Sequence, residues 1–138
     1  MNPYRAYQQQ AYSAWLRIDM LLALYDGIIG RLEAALSALA RKNATEAKPL
    51  LGKARLMLAG LVSCVDPSRG EMADQFLRLY EFVNHCLDIG DAKQVEAALR
   101  VLRTLREGLE AIRPEAAQLE RSGQIPPAGP APGVQLIV

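Results

Sequence analysis

An all-α antiparallel bundle is the fold class that the sequence predicts, on three observations. Apolar residues recur three and four apart over most of the chain, capping residues stand between the periodic stretches, and no stretch sustains the alternation of a strand. Short connections between long helices make successive helices antiparallel neighbours. The expected organisation is a leader over residues 1–14, a four-helix bundle domain over 15–121 that includes a short fifth helix, and a tail over 122–138.

The first helix is expected from about Trp15 to Arg41, with Leu21, Tyr25, Ile28, Leu32, Leu36 and Leu39 as its apolar stripe. Asn43 suits a left-handed stop. The second helix is expected from Thr45, acting as its cap, to about Val65, which puts Pro49 in the first turn. Its stripe is Leu51, Ala54, Leu58, Leu61, Val62 and Val65. Ser68 followed by Glu71 reads as a capping box for a third helix that ends at Gly90, with Met72, Phe76, Leu79, Val83 and Leu87 in line. Asp91 and Gln94 form another box. They open a fourth helix striped by Val95, Ala98, Leu99, Leu102, Leu105, Leu109 and Ile112. Pro114 should break it, leaving a short fifth helix to Arg121. The Pro- and Gly-rich residues 122–138 are expected to be extended.

Composition narrows the function classes. The chain has 138 residues, 51% of them apolar and 22% charged, which is the balance of one globular domain with a core of its own. A net charge of +1 gives no strong pull toward nucleic acid or an anionic membrane. No apolar run approaches the ~20 residues of a membrane span, and the N-terminus lacks the pattern of a signal peptide. Cys64 and Cys86 lie in apolar helical runs and read as buried thiols of a reducing cytosol.

Candidate chemistry is sparse. His85 is the one histidine, and the carboxylate and histidine spacing of di-iron bundles is missing. Cys86 beside it points about 100° away around the helix, so the two do not face each other. Gly27 and Gly30 follow no strand and make no phosphate loop. The arginines Arg100, Arg103, Arg106 and Arg113 are neutralised by helix-spaced partners: Glu96 with Arg100, Glu107 with Arg103, and Glu110 with Arg106. Neither a catalytic centre, a cofactor, a metal site nor a nucleic-acid face is expected.

Three features exceed the needs of a plain bundle. Gly27 and Gly30 interrupt a helix at ~1 kcal/mol each against alanine, which suggests a close helix crossing or a groove for a partner. The third helix is apolar nearly all round, with Phe76, Leu77, Leu79, Tyr80, Phe82 and Val83, while the second carries Leu50, Leu56 and Met57 off its stripe. Something must cover that surplus: self-association, the chain's termini, or a partner helix. Finally, Tyr4, Tyr7 and Tyr12 cluster in a polar leader, where large rings with polar tips suit an interface or a docking lid.

Four segments carry a family resemblance: Asn2-Pro3-Tyr4, Ala6-Tyr7-Gln8-Gln9, Leu24-Tyr25-Asp26-Gly27 in the first helix, and Leu79-Tyr80-Glu81-Phe82-Val83 in the third. In this order and spacing, over roughly residues 2–112, the chain resembles the FliS family of flagellar secretion chaperones. It departs from the family at Leu16-Arg17, where Ser-Pro is usual, at Glu81 in place of aspartate, and at Leu109, where tryptophan is common. The tail after Arg113 is also longer. The resemblance implies a cytosolic antiparallel bundle that is not an enzyme and uses no cofactor. Its implied partner is the disordered C-terminal segment of flagellin, which it keeps from polymerising and helps deliver to the export gate. The alternative is a self-associating bundle, a homodimer for example, with no such client. Tyr4, Tyr7, Tyr25, Leu56, Met57, Leu77 and Tyr80 are the expected partner-binding residues.

Overall fold

The computed structural model describes residues 17–65, Ser68 and residues 70–123. Within them lie four helices: α1 (Arg17–Ala40), α2 (Ala44–Ser63), α3 (Glu71–Ile89) and α4 (Ala92–Arg121). No strand occurs among the described residues. The leader, with Tyr4, Tyr7 and Tyr12, lies outside them, as does Trp15, and so does the tail beyond Gly123.

The helices form a ring in which α1 packs on α2 and α4, and α3 packs on α4 and, most sparsely, on α2. The two diagonals have no close backbone approach. One core runs the length of the ring. It takes Ile18, Leu21, Tyr25, Ile28 and Leu32 from α1, Leu51, Leu58 and Leu61 from α2, Tyr80, Val83 and Leu87 from α3, and Val95, Leu99, Leu102 and Leu109 from α4. Buried alanines thread between them (Ala35, Ala38, Ala47, Ala54, Ala98), and their small side chains let neighbouring helices approach closely.

The stripes of α1, α2 and α4 face inward largely as predicted, although Val62 and Ile112 lie 38% and 48% exposed. On α3 the expected stripe holds in part, with Val83 and Leu87 buried and Phe76 packed on the core. Ala73, Tyr80, Val83, Cys86 and Leu87 are buried, whereas Met72 is 60% exposed and Leu79 is not among the core residues. A helix apolar nearly all round offers two plausible stripes. The one carrying small Ala73 and Cys86 is the one that is buried. Of the two thiols read as buried, Cys86 is, and burial pushes its pKa up, while Cys64 is half-buried.

The junctions correct the expected caps. Lys42, not Asn43, takes the left-handed conformation that ends α1, at φ 56°. Asn43 is instead the N-cap of α2, its Oδ1 accepting from the Glu46 N–H at 3.1 Å, so Thr45 lies inside the helix. Pro49 therefore sits beyond the first turn, where it deletes one backbone hydrogen bond on an exposed side. At α3 the cap is Gly70, with φ 91° and no side-chain capping bond, and not the Ser68–Glu71 box. A glycine suits that backbone because a Cβ would be strained there. The other end of α3 matches expectation: Gly90 closes it in the left-handed conformation, and Asp91 Oδ1 accepts from the Gln94 N–H at 2.8 Å to open α4.

Pro114 does not divide α4, which runs unbroken for 30 residues. Beyond the proline, Ala117 is buried and Ala116 packs on the core, and that packing offsets the hydrogen bond lost to the ring. No separate fifth helix forms among the described residues.

The arginines of α4 mostly reach across to α1 rather than along their own helix. Arg113 Nε donates to Asp19 at 2.5 Å, Arg106 is bidentate to Asp26, and Arg103 lies 3.6 Å from Glu33. Of the three pairs expected within α4, Arg106 with Glu110 forms, at 3.8 Å. The contacts with Asp26 and Asp19 hold the Arg106 and Arg113 guanidiniums above their ordinary pKa, through hydrogen bonding first in each case. These pairs set the register of α1 on α4. Being exposed and screened by solvent, they contribute little to stability.

The two glycines of α1 differ in purpose. A Cβ on Gly27 would come within 2.6 Å of Met57 Cε, so Gly27 makes room for the tip of a flexible side chain from α2 and no α2 backbone comes near it. Gly30 is exposed, and a Cβ added to it would meet nothing within 4 Å. Gly30→Ala is expected to stabilise the fold by ~0.5–1 kcal/mol, because alanine removes backbone freedom from the unfolded chain and meets no clash. The midpoint of urea unfolding reads the gain; a lowered midpoint would mean that this face is occupied.

Candidate functional site

The sparse contact between α2 and α3 leaves a furrow along the bundle. Its upper part, about 360 Å³, is lined by Leu58, Ala59 and Val62 from α2 and by Leu77, Tyr80, Glu81 and Asn84 from α3. Its lower part, about 460 Å³, is lined chiefly by Ala47, Lys48, Leu51 and Gly52 opposite Leu87, Asp88 and Ile89, with Leu39 at its end. Arg55 lines both parts. From α2 it reaches across to α3, where Nε donates to Asn84 Oδ1 at 3.1 Å and an Nη donates to Asp88 Oδ1 at 3.0 Å. The furrow on the α1–α4 side differs in kind, because Asp19, Asp26, Arg106, Glu110 and Arg113 line it.

The structure distributes the expected partner-binding residues unevenly. Leu77 lines the upper furrow, half-buried. Leu56 is 76% exposed on the outer side of α2, a large apolar side chain that the bundle itself does not use. Met57 is half-buried against Gly27, on the α1 side of α2. Tyr4 and Tyr7 lie outside the described residues.

Tyr25 and Tyr80 are interior residues, 0% and 2% exposed. Their hydroxyls meet at 2.5 Å across the α1–α3 diagonal, and their rings are tilted at 53° with centroids 6.4 Å apart. Phe76 extends the cluster, 6.0 Å from Tyr80. Backbones on a diagonal are too far apart to touch, so two long side chains fill the centre and satisfy each other's polar ends. Tyr80 thus forms part of the furrow floor, and Tyr25 supports it from beneath.

Burial is the main reason both phenols hold their protons more tightly than the ordinary tyrosine; for Tyr25 the neighbouring Tyr80 adds to it. In the unfolded chain they ionise near pH 10. The folded pKa values are raised, so this contribution to stability is fully present below about pH 10 and is lost as pH rises above it. The loss is expected to approach ~1.4 kcal/mol per pH unit for each phenol. Urea midpoints at pH 9, 10 and 11 check this, and replacing both tyrosines by phenylalanine should flatten the dependence.

Sequence reasoning does not single out Arg55, Val62, Glu81 or Asn84 as site residues. The one available signal is spacing: Arg55 lies one turn from both Leu51 and Leu58, and Asn84 and Asp88 are four apart on α3. That α2 and α3 face each other loosely enough to leave a furrow is a tertiary fact, which neither helix carries alone.

An antiparallel bundle with an open, apolar, cation-bridged furrow has the build of a helical binding module. No group of three metal-ligating side chains occurs among the described residues, and no helix among them is long and apolar enough to cross a membrane. The chain belongs to the FliS family: the family described as flagellar protein FliS matches residues 1–116. This is a family of flagellar export chaperones, not of enzymes. No curated protein and no solved structure matches the chain.

Proposed function

We propose that this chain acts in the cytosol, binding the disordered C-terminal segment of flagellin, keeping it from polymerising before export and helping deliver it to the export gate. The observation that carries the reading is the open α2–α3 furrow in a bundle of this family, with apolar Leu58, Val62 and Leu77 along its walls. A flagellin terminus has an apolar face meant for the filament core. Laid in the furrow as a helix, that face is hidden from other flagellin chains. Ordering the segment costs ~2–5 kcal/mol, which burial along the bundle offsets. The leader tyrosines Tyr4 and Tyr7 fit a displaceable lid over the same surface: each ring gains a few kcal/mol at most by burial, and ordering the leader takes back a comparable amount.

Titration calorimetry of the full chain with the C-terminal peptide of its host's flagellin tests this. One-to-one binding with a large negative heat-capacity change is expected. No heat at several temperatures and no co-elution would defeat the reading. Deleting the leader should leave the fold intact and change client affinity, and an unchanged affinity would remove the lid from the scheme.

Apolar residues outside the furrow favour a second reading, self-association. Met72 and Phe82 on α3 and Ile112 and Leu119 on α4 are all exposed. Light scattering on the purified chain without client distinguishes a homodimer from a monomer.

A further inference from the structure

We propose that Arg55 is a specificity-determining residue of the α2–α3 furrow, selecting a client helix that carries a carboxylate between two apolar anchors about two turns apart. The inference rests on the client reading above and adds what the client's sequence must contain. Two wider parts flank Arg55, one floored by Leu51 and Leu87 and the other by Leu58 and Tyr80. Both pairs are seven residues apart along their helices, so the two parts lie about 10 Å apart at a rise of ~1.5 Å per residue. On a bound helix that is the spacing of residues i and i+7. The client residue that passes over Arg55 is then at i+3 or i+4, on the same face as both anchors.

Charge around the furrow narrows the chemistry of that middle residue. Among the described residues Arg55 is the one cation lining the upper part, where Glu81 disfavours a client carboxylate further along. In the unliganded chain Arg55 is held by Asn84 and Asp88, but its side chain is 40% and that of Asp88 65% exposed, and so exposed a pair is weak. A client carboxylate arriving under the cover of its own helix meets the guanidinium in a drier setting, where a charge-assisted bond is stronger. The bridge that spans the furrow is therefore the group that reads its occupant. A client with an apolar residue at the middle position would bury the guanidinium against hydrocarbon and bind poorly.

The test is calorimetry of the full chain with the flagellin C-terminal peptide, in which each Asp and Glu is changed in turn to Asn or Gln. One carboxylate, flanked by apolar residues at the stated spacing, is expected to lower affinity tenfold or more when neutralised. The same change should have little effect against Arg55→Met. Arg55→Glu should weaken the unmodified peptide at least tenfold, and a lysine at the sensitive peptide position should restore it. Circular dichroism melts of both Arg55 variants establish that they remain folded. A flat carboxylate scan, or an Arg55→Met variant that binds the peptide as well as or better than the parent, overturns the proposal, since Arg55 would then only bar the furrow. If the parent chain binds no flagellin peptide, the client reading falls, and this proposal with it; that failure shows in the unmodified pair, before any variant is compared.

Discussion

Tyr25→Ala is expected to lower stability by about 3–5 kcal/mol, and Tyr80→Ala by a similar amount. Each removes a fully buried ring from the bundle centre and leaves a cavity that four packed helices cannot collapse. Each also strands the partner hydroxyl in an apolar interior, which puts the loss toward the upper end of that range where no water replaces the lost bond. Domains of this size are stable by only ~5–15 kcal/mol, so either variant should melt well over 10 °C lower. The phenylalanine variants isolate the hydroxyls. Tyr25→Phe alone should cost about 1–3 kcal/mol because the Tyr80 hydroxyl loses its partner. The double Tyr25→Phe, Tyr80→Phe variant should cost less than the sum, because no polar group is then left buried and unpaired. Urea unfolding of the four chains of that cycle gives the coupling. Strict additivity would show that the 2.5 Å contact contributes nothing, and the pair would then matter only as packing.

That pair also shows how far the sequence can be read. Tyr25 is legible as part of a stripe and, with Tyr80, as part of two family motifs, yet its setting is not. Periodicity tells which residues share a face of one helix; it does not tell which helix lies diagonally opposite. The same limit explains α3. Its many apolar positions allow two inward faces, and which of them is buried depends on the helices packed around it, not on the pattern of α3 alone. The cap at Asp91 is legible from its side chain, the one at Asn43 is misplaced onto Thr45 because both residues suit a cap, and those at Lys42 and Gly70 are hidden because backbone conformation does the work. Pro114 reads as a break because the local rule does not include the packing of Ala116 and Ala117 that carries α4 through it. The furrow is visible in the sequence only as surplus: Leu77 stands out as an apolar residue off the expected stripe of its helix, while Arg55 and Val62 look like ordinary helix residues.

Val62→Glu is expected to weaken client binding by about 2–4 kcal/mol, a factor of about 30 to 1,000. Val62 lines the upper furrow and is 38% exposed in the unliganded chain, so a glutamate there can reach water and the fold should lose little stability. With a client helix in place the same carboxylate would be covered. It must then either take up a proton, at ~1.4 kcal/mol for each unit its pKa is driven above the pH, or remain charged in an apolar contact. Glu81 lines the same part of the furrow and adds like-charge repulsion. Arg55 is two turns away along α2, about 10 Å, so it offers no close partner. The matched control is Ile112→Glu, which places the same charge at a 48% exposed apolar residue on α4, away from the furrow. It should bind client within about twofold of the parent, since surface changes away from an interface leave only small effects. Calorimetry with the flagellin C-terminal peptide, after thermal melts have shown both variants folded, decides between the faces. Loss of binding in Val62→Glu alone supports the α2–α3 furrow as the client site. If Val62→Glu binds normally and Ile112→Glu does not, the client lies on α4, and the exposed apolar residues there, not the furrow, are the surface that this chaperone presents to flagellin.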